Sequence, residues 1–365
     1  MTERVVAAGR LVYDGEVLEP GWLRIVDGSV VDGGAGSAPA EPTHVVDGTV
    51  VPGYVDLHCH GGGGHDFADP DLDHVRAALA FHAARGNAAT MLSLVTAPAD
   101  LLLEQVRRLA PLVRDGAAPG IHLEGPWLSV ARCGAQNPAA MRDPDPAEID
   151  ALLKAGRGTI AMVTIAPERT GALAAIERLV AAGVVVAVGH TDADYDTVRA
   201  AVDRGATVAT HLFNGMRPFG HRDPGPVLAL LDDPRVVVEL IADGVHLDDR
   251  VVASVVAGVG TGRVALVSDA MAAAGMADGP YRLGALDVTV SGGVARLTGS
   301  ETIAGSTAVV ASLVERRLGL PRADEPSPTE LLAAVAMSST TPARVLGRSD
   351  LGVLRPGSSG SYAVL

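Results

Sequence analysis

The sequence comprises 365 residues, 48% of them hydrophobic, and its formal net charge is −14. That length suits one barrel-sized domain with a smaller appendage, and the negative charge argues against nucleic acid or an anionic membrane as a partner. The N-terminus lacks the apolar segment of a secretory signal, no apolar run is long enough to span a bilayer, and 2 cysteines are too few for a disulfide scaffold. We therefore expect a cytoplasmic protein that binds neither nucleic acid nor membrane.

Short strands are predicted at both ends of the chain. The stretch "RLVYDGEVLEPGWLRIVDGSVVDGG" alternates β-branched residues with Asp-Gly and Pro-Gly turns. The C-terminal "LGVLRPGSSGSYAVL" returns to the same strand-and-turn pattern. We expect residues 1–50 and 347–365 to form one small β-sandwich domain built from both chain termini.

Residues 51–346 predict an α/β fold in which apolar strands alternate with Ala/Leu/Arg-rich helices. The helices are predicted at 71–85, 99–113, 147–154, 170–182, 195–204 and 248–259, and the eight strands are "GYVDLHCH", "NAATMLSLVT", "GIHLEGP", "IAMVTIAPE", "VVVAVGHTD", "ATVATHLFN", "VVVELIADGVH" and "RVALVSDAM". Near-continuous apolar strands belong to parallel sheets covered by helices. Eight such units favour a (β/α)8 TIM-type barrel over an open sheet.

One segment departs from this alternation. Residues 278–300, "DGPYRLGALDVTVSGGVARLTGS", alternate with a period of two around a Gly-Gly turn. We expect a β-hairpin inserted after the eighth strand.

Two histidines stand at the end of the first predicted barrel strand, in "VDLHCHGGGG". Side chains two apart on a strand share a face, so His58 and His60 point the same way, with Asp56 below them and Cys59 turned away. From this stretch alone two interpretations stay open. The histidines are either buried, hydrogen-bonded core residues or two ligands of a metal ion.

Other predicted strands also end in a potential ligand. Glu124 ends the third strand, His190 the fifth, His211 the sixth and Asp269 the eighth. Active-site groups of such barrels lie at the C-terminal ends of the strands, and imidazole and carboxylate groups bind zinc, iron and manganese in catalytic sites. With His58 and His60, these residues predict a site for one or two divalent ions, zinc first, with iron, manganese or cobalt as alternatives. Glu124 could bridge two ions because a carboxylate can offer one oxygen to each.

The order of these motifs resembles the amidohydrolase superfamily, and within it the N-acetylglucosamine-6-phosphate deacetylases. The stretches that carry the resemblance are "PGYVDLHCHG", "HLEGPWL", "VGHTDA", "THLFNGM", "ADGVH", "SDAM" and "IAGS". The resemblance implies hydrolysis of N-acetylglucosamine 6-phosphate to glucosamine 6-phosphate and acetate by a homodimer. It implies a principal metal site of Glu124, His190 and His211 and a second site completed by His58 and His60. Asp269 would be a ligand and would transfer the proton from water to the departing amine.

The same resemblance implies residues that bind the phosphorylated amino sugar. They are Gln136, Asn214, the backbone amide of Gly215, Arg222, His246 and Ile303. A guanidinium such as that of Arg222 suits phosphate because it offers a planar fork of donors. Gln136 departs from the family, because most relatives carry a histidine there. Glutamine donates a hydrogen bond but holds no positive charge, so we expect a slower reaction or a different acyl sugar.

Two other functions stay open. A different amidohydrolase reaction would open a cyclic imide or deacylate an N-acyl amino acid. Dihydroorotase-like members bridge their ions with a carboxylated lysine, and Lys154, the sole lysine, lies away from the strand ends, which disfavours that branch. A degenerate barrel retained as an interaction module is the second possibility, but such a protein would be expected to lose ligands.

Overall fold

The N-terminal residues form a run of antiparallel and parallel strands in the computed structural model, which describes residues 2–321 and 323–365. These strands are β1 (Glu3–Tyr13), β2 (Glu16–Leu18), β3 (Gly21–Val26), β4 (Ser29–Ala35) and β5 (His44–Pro52).

Strands and helices then alternate through the middle of the chain. In order they are β6 (Tyr54–Asp56), β7 (Gly61–Gly62), β8 (His65–Asp66), α1 (Leu72–Ala83), β9 (Asn87–Thr90), β10 (Leu92–Leu94), α2 (Ala99–Arg114), β11 (Ile121–Glu124), α3 (Pro146–Gly156), β12 (Ile160–Ile165), α4 (Ala172–Ala181), β13 (Val185–Val188), α5 (Tyr195–Asp203), β14 (Ala206–Ala209), α6 (Gly225–Asp232), β15 (Val237–Leu240), α7 (Asp249–Val259) and β16 (Val264–Leu266).

The remaining elements follow the eighth barrel strand. They are β17 (Gly279–Leu283), β18 (Leu286–Ser291), β19 (Val294–Leu297), α8 (Val310–Leu318), α9 (Pro328–Val335), α10 (Thr341–Val345) and β20 (Tyr362–Val364). A π-helical turn, Ala336–Thr340, joins α9 to α10. Within the described residues, no helix is both long enough and apolar enough to cross a membrane.

The middle of the chain contains a curled seven-stranded parallel sheet in the order β10, β11, β12, β13, β14, β15, β16. The first strand, β6, pairs with β9, and the chain beyond it reaches the other edge, where Cys59 forms a parallel bridge with Ala270. The Asp269 N–H also donates to the carbonyl of His58 at 2.9 Å. The arrangement is consistent with the predicted TIM-type barrel.

Two apolar layers stabilise this sheet because its strands are buried on both faces. One cluster lies between the strands and the surrounding helices, and its members include Leu92, Leu123, Val163, Val186 and Leu240. The other lies inside the curl and includes Val55, Met91, Met162, Val208 and Val267. The polar ends of the strands lie beyond this inner cluster.

The helix boundaries follow signals that are local in sequence. The side chain of Asp71 caps α1, that of Asp145 caps α3, that of Asp194 caps α5 and that of Asp248 caps α7, each by accepting a backbone N–H of the first turn. The six predicted helices all exist, with ends within two residues of those predicted.

Both chain termini contribute to one sheet, ordered β20, β5, β1, β3, β4. The short strand β2 pairs antiparallel with the end of β1. Tyr362 of β20 pairs antiparallel with Pro52 of β5. The described strands form a single sheet here, so the two-layer sandwich and the domain boundaries at residues 50 and 347 stay predictions.

The predicted hairpin at 278–300 is wrong in one respect. The segment forms three antiparallel strands, β17, β18 and β19, because a second turn at Gly284 and Ala285 precedes the Gly292–Gly293 turn. Its inner face carries a separate apolar cluster that includes Leu283, Val288 and Ala295.

Candidate active site

Most of the predicted site residues line one cavity of about 280 Å³ at the C-terminal ends of the barrel strands. They are His60, Glu124, Gln136, His190, His211, Asn214, Gly215, His246, Asp269 and Ile303. His58 is fully buried behind His60 and does not reach the cavity surface. Arg222 lies outside the cavity.

The carboxylate of Glu124 occupies the centre of the site. Its Oε1 lies 2.9 Å from Nε2 of His190 and 2.9 Å from Nε2 of His211. Its Oε2 lies 3.2 Å from Nε2 of His60 and 3.5 Å from Nε2 of His58. Burial alone would raise the pKa of Glu124, but His58 and the hydrogen bonds from His190 and His211 outweigh burial and hold that pKa well below its ordinary value. The two carboxylate oxygens therefore face two different pairs of imidazoles.

Asp269 stands beside the first histidine pair. Its Oδ1 lies 3.3 Å from Nε2 of His60 and 3.6 Å from Nε2 of His58. Burial opposes ionisation, yet the charge of His58 and the hydrogen bond with His60 lower the pKa of Asp269 to about 2. For His60 burial would lower the pKa, but Asp269 and Glu124 raise it to about 9. Asp269 is therefore a carboxylate at neutral pH and can accept a proton.

The outer nitrogens of three site histidines are held by acceptors. Nδ1 of His60 lies 3.2 Å from the carbonyl of Ser93, and Nδ1 of His190 lies 2.9 Å from that of Arg132. Nδ1 of His58 lies 3.4 Å from Oε2 of Glu239. In the neutral imidazoles that a metal ion requires, a proton on each Nδ1 would leave the Nε2 lone pair directed at the centre.

The donor atoms are spaced as a divalent ion requires. Those of His58, His60 and Asp269 all lie within 4.8 Å of one another, as do those of His58, Glu124 and His211. Nitrogen and carboxylate donors of this kind suit zinc and the other first-row metals. The residues present therefore fit one or two divalent ions, as the strand-end pattern predicted.

A neutral histidine and three hydroxyls form the polar layer beneath the site. Nδ1 of His122 lies 3.0 Å from Oγ of Ser93, and its Nε2 lies 2.8 Å from Oγ1 of Thr164, which contacts Thr210 at 2.8 Å. Burial, reinforced by the charge of His58, holds the pKa of His122 well below its ordinary value. His122 is thus engaged on both nitrogens, which leaves neither free for an ion.

Three of the site residues adopt a left-handed backbone. The φ angles are 44° at His190, 26° at His211 and 48° at Asp269. Such angles are uncommon outside glycine and cluster at functional sites. All three residues stand just beyond the ends of β13, β14 and β16, where the chain turns sharply from strand into loop.

Gln136 contacts the central carboxylate directly. Its Oε1 accepts the backbone N–H of Thr96 at 2.7 Å, which fixes the orientation of the amide. Its Nε2 therefore donates to Oε2 of Glu124, at 2.5 Å. Gln136 lines the cavity, but its donor is directed at Glu124, so its contact with the substrate stays a prediction.

Another imidazole that lines the cavity, that of His246, is held by a carboxylate. Nδ1 of His246 lies 2.8 Å from Oδ2 of Asp243, whose Oδ1 accepts the backbone N–H groups of Val245 and His246. Burial would lower the pKa of His246, but the hydrogen bond and charge of Asp243 raise it. Asp243 thus favours the protonated form of this imidazole.

Two predicted substrate residues have other surroundings. Nδ2 of Asn214 donates to the carbonyl of His211 at 3.2 Å, so it holds the loop that follows β14. Arg222 is exposed on that loop and makes no ion pair with any described residue, whereas the neighbouring Arg217 pairs with Asp223. The roles of both residues toward the substrate stay predictions.

Sequence reasoning missed several residues that hold the predicted site residues in place. Glu239, Asp243, Ser93 and Thr96 each contact a predicted site residue. A lone carboxylate within the apolar run "VVVELI" was the one signal that could have identified Glu239. The other three contacts depend on residues that are distant in sequence or on loop geometry.

Comparison with known proteins identifies the relatives of this chain. The model of the amidohydrolase family matches residues 49–365. An N-acetylgalactosamine-6-phosphate deacetylase of Escherichia coli O157:H7 is 37% identical over 99% of this chain and 94% of its own. An N-acetylglucosamine-6-phosphate deacetylase of Vibrio furnissii is 36% identical over 90% of this chain and 81% of its own.

A solved structure is similar over the whole chain. It is a mutant N-acetyl-D-glucosamine-6-phosphate deacetylase of Mycobacterium smegmatis in complex with N-acetyl-D-glucosamine-6-phosphate. The TM-score is 0.96 at 50% sequence identity, and the match covers 100% of this chain and 95% of the other.

Proposed function

The chain belongs to the amidohydrolase family, and we propose that it hydrolyses the acetamide of N-acetylglucosamine 6-phosphate to give glucosamine 6-phosphate and acetate. The observation that carries the proposal is the buried Glu124 between two pairs of imidazoles, with Asp269 beside it on one cavity wall. The relatives that cover most of the chain are deacetylases of phosphorylated amino sugars.

The site residues would hold one or two divalent ions between the imidazoles and carboxylates. Glu124, His190 and His211 would form one site, and His58, His60 and Asp269 would complete a second, with zinc as the first candidate. Bound there, such an ion would polarise the acetyl carbonyl and make water a stronger nucleophile.

Asp269 performs the proton transfers. Its low pKa keeps it ionised at neutral pH, so it can take the proton from the attacking water. The protonated carboxyl then returns that proton to the amine nitrogen as the C–N bond breaks. Acetate and glucosamine 6-phosphate leave, and Asp269 is again a carboxylate.

The substrate phosphate is recognised by positive charge at the rim. His246 lines the cavity, and Asp243 raises its pKa, which favours the protonated form that pairs with an anion. We propose that Arg222 adds a guanidinium, and that the chain acts as a homodimer in which this exposed loop meets the neighbouring subunit. Light scattering of the purified protein tests the homodimer. The expectation of a cytoplasmic location rests on the two cysteines, which are too few for a disulfide scaffold.

A second candidate substrate is N-acetylgalactosamine 6-phosphate. The E. coli relative that matches 99% of this chain is named for that sugar. Both reactions use the same amide chemistry, so the difference would lie in contacts to the sugar ring.

Acetate release tests the proposal. The assay compares N-acetylglucosamine 6-phosphate, N-acetylgalactosamine 6-phosphate and unphosphorylated N-acetylglucosamine, each before chelation, after chelation and after zinc is restored. We expect the highest kcat/KM on N-acetylglucosamine 6-phosphate, loss on chelation and recovery with zinc. A higher kcat/KM on the galacto sugar would favour the second candidate, and equal rates on the unphosphorylated sugar would contradict the phosphate site.

A further inference from the structure

One buried carboxylate next to the site takes no part in the reaction described above. Glu239 lies in β15 between Val238 and Leu240, and none of its surface is exposed. Burying a carboxylate in an apolar strand is costly unless its oxygens are paired. Its Oε1 has no hydrogen-bond partner among the described residues. Any stabilisation that Glu239 gives to the site must therefore come mainly from the contacts of Oε2.

Oε2 of Glu239 contacts two predicted ligands that come from different strands. It lies 3.4 Å from Nδ1 of His58, which follows β6. It also accepts the backbone N–H of His211, which follows β14, at 3.2 Å. The two imidazole rings stack, with centroids 5.3 Å apart and planes 28° apart. One oxygen thus joins two neighbouring ligands from behind.

The first contact directs the ring of His58, and the second restrains the backbone of His211. A proton held on Nδ1 of His58 leaves Nε2 free to bind an ion. Among the described residues three groups could hold an ion, and His58 belongs to the two of them that lie at this site. At His211 the backbone is left-handed, and the hydrogen bond to Glu239 restrains that conformation.

We propose that Glu239 is a positioning residue that holds His58 and His211 as a pair and so sets the affinity of the site for divalent ions. The inference rests on the proposed function, because it assumes that these histidines bind metal. Glu239 itself touches neither the cavity nor the reacting atoms.

The test is zinc affinity of the metal-free protein, measured by competition with a chromophoric chelator, for three variants. Glu239→Leu removes the acceptor and replaces it with an apolar side chain of similar size. Glu239→Val also removes the acceptor and places a β-branched residue, which suits a strand, at the same position. Glu239→Gln can keep its carbonyl at the Oε2 position and place its amide at the unpaired Oε1. Asp233→Asn is the matched control, since Asp233 is a buried carboxylate that pairs with Arg199 and Arg235.

We expect zinc affinity to fall by about 10–100-fold in Glu239→Leu and Glu239→Val, and to stay within about threefold of wild type in Glu239→Gln. The control should lose thermal stability without losing affinity. Should either apolar variant fold and bind zinc as tightly as the wild type, or should Glu239→Gln lose as much affinity as they do, the inference is overturned. A wild-type protein that binds no divalent ion would instead overturn the proposed function, a result distinguishable from either of these.

Discussion

A single methyl group at Gly215 should disable the site by displacing one ligand. Gly215 has a φ of 59°, and a Cβ there would lie 2.6 Å from Nδ1 and 3.0 Å from Cε1 of His190. Ordinary contact begins at 3.4 Å, so the Gly215→Ala variant forces the ring to move by about 0.8 Å. His190 cannot move so far and keep both its hydrogen bond to Arg132 and its 2.9 Å approach to Glu124.

The size of the expected loss of activity follows from the precision with which a metal ligand must be positioned. Ligand distances tolerate deviations of about 0.2 Å, and a misplacement of about 1 Å near the chemistry costs about 100-fold in rate. We expect kcat/KM for acetate release to fall by about 100-fold in Gly215→Ala, together with weaker zinc binding in chelator competition.

Gly292→Ala is the matched control for this experiment. Gly292 has the same φ of 59°, but nothing lies within 4 Å of the position of its Cβ. Left-handed alanine costs about 1–2 kcal/mol at either position, so both variants should lose similar thermal stability. Only Gly215→Ala should lose activity. If its kcat/KM stays within threefold of that of Gly292→Ala, the argument that His190 must hold this position is refuted.

Three further predictions address proton transfer, the central carboxylate and stability. Asp269→Asn removes the proton acceptor and should lower kcat by about 10²–10⁴-fold while the fold is retained; a loss under tenfold in the acetate assay would contradict the assigned role. Gln136→Leu removes the donor to Glu124, a hydrogen bond to a charged group worth about 1.5–3 kcal/mol, so urea denaturation of the metal-free protein should show a loss of that order, and an unchanged midpoint would speak against the contact. The hydrogen bond from Arg235 lowers the pKa of Asp233 to about 2, below its unfolded value of about 3.9. The stabilisation is therefore complete above about pH 4 and lost as the pH falls toward 2, so Asp233→Asn should cost about 1–2 kcal/mol at pH 7 and progressively less below pH 4; a deficit that does not change with pH would exclude this linkage.

The sequence alone predicted the architecture of the barrel and most of its site. Apolar strands of three to six residues alternate with helices, and both signals are local, so the six predicted helices and the parallel sheet could be anticipated. The candidate ligands could be identified because parallel barrel strands all present their C-terminal ends at one face. Histidines or carboxylates at five of those ends, such as His190 and Asp269, were therefore expected to meet.

The sequence pattern predicted two strands in the inserted sheet and not three, because it did not reveal the turn between β17 and β18. The Gly284–Ala285 turn lacks the Asn-Gly or Gly-Gly signature that marked the second turn. Antiparallel pairing of Gly279 with Val290 became visible only once the strands were in register.

The contacts that hold the predicted site residues in place were decided by the tertiary structure. Glu239 reaches His58 across 181 positions of sequence, and Gln136 meets Thr96 across 40. Such contacts depend on strand register and on where loops turn, which no short stretch of sequence encodes. The sequence determined which groups gather at the end of the barrel. Their orientation follows from hydrogen bonds between distant residues, because an imidazole or amide can be directed only by the partner that the fold brings to its other side.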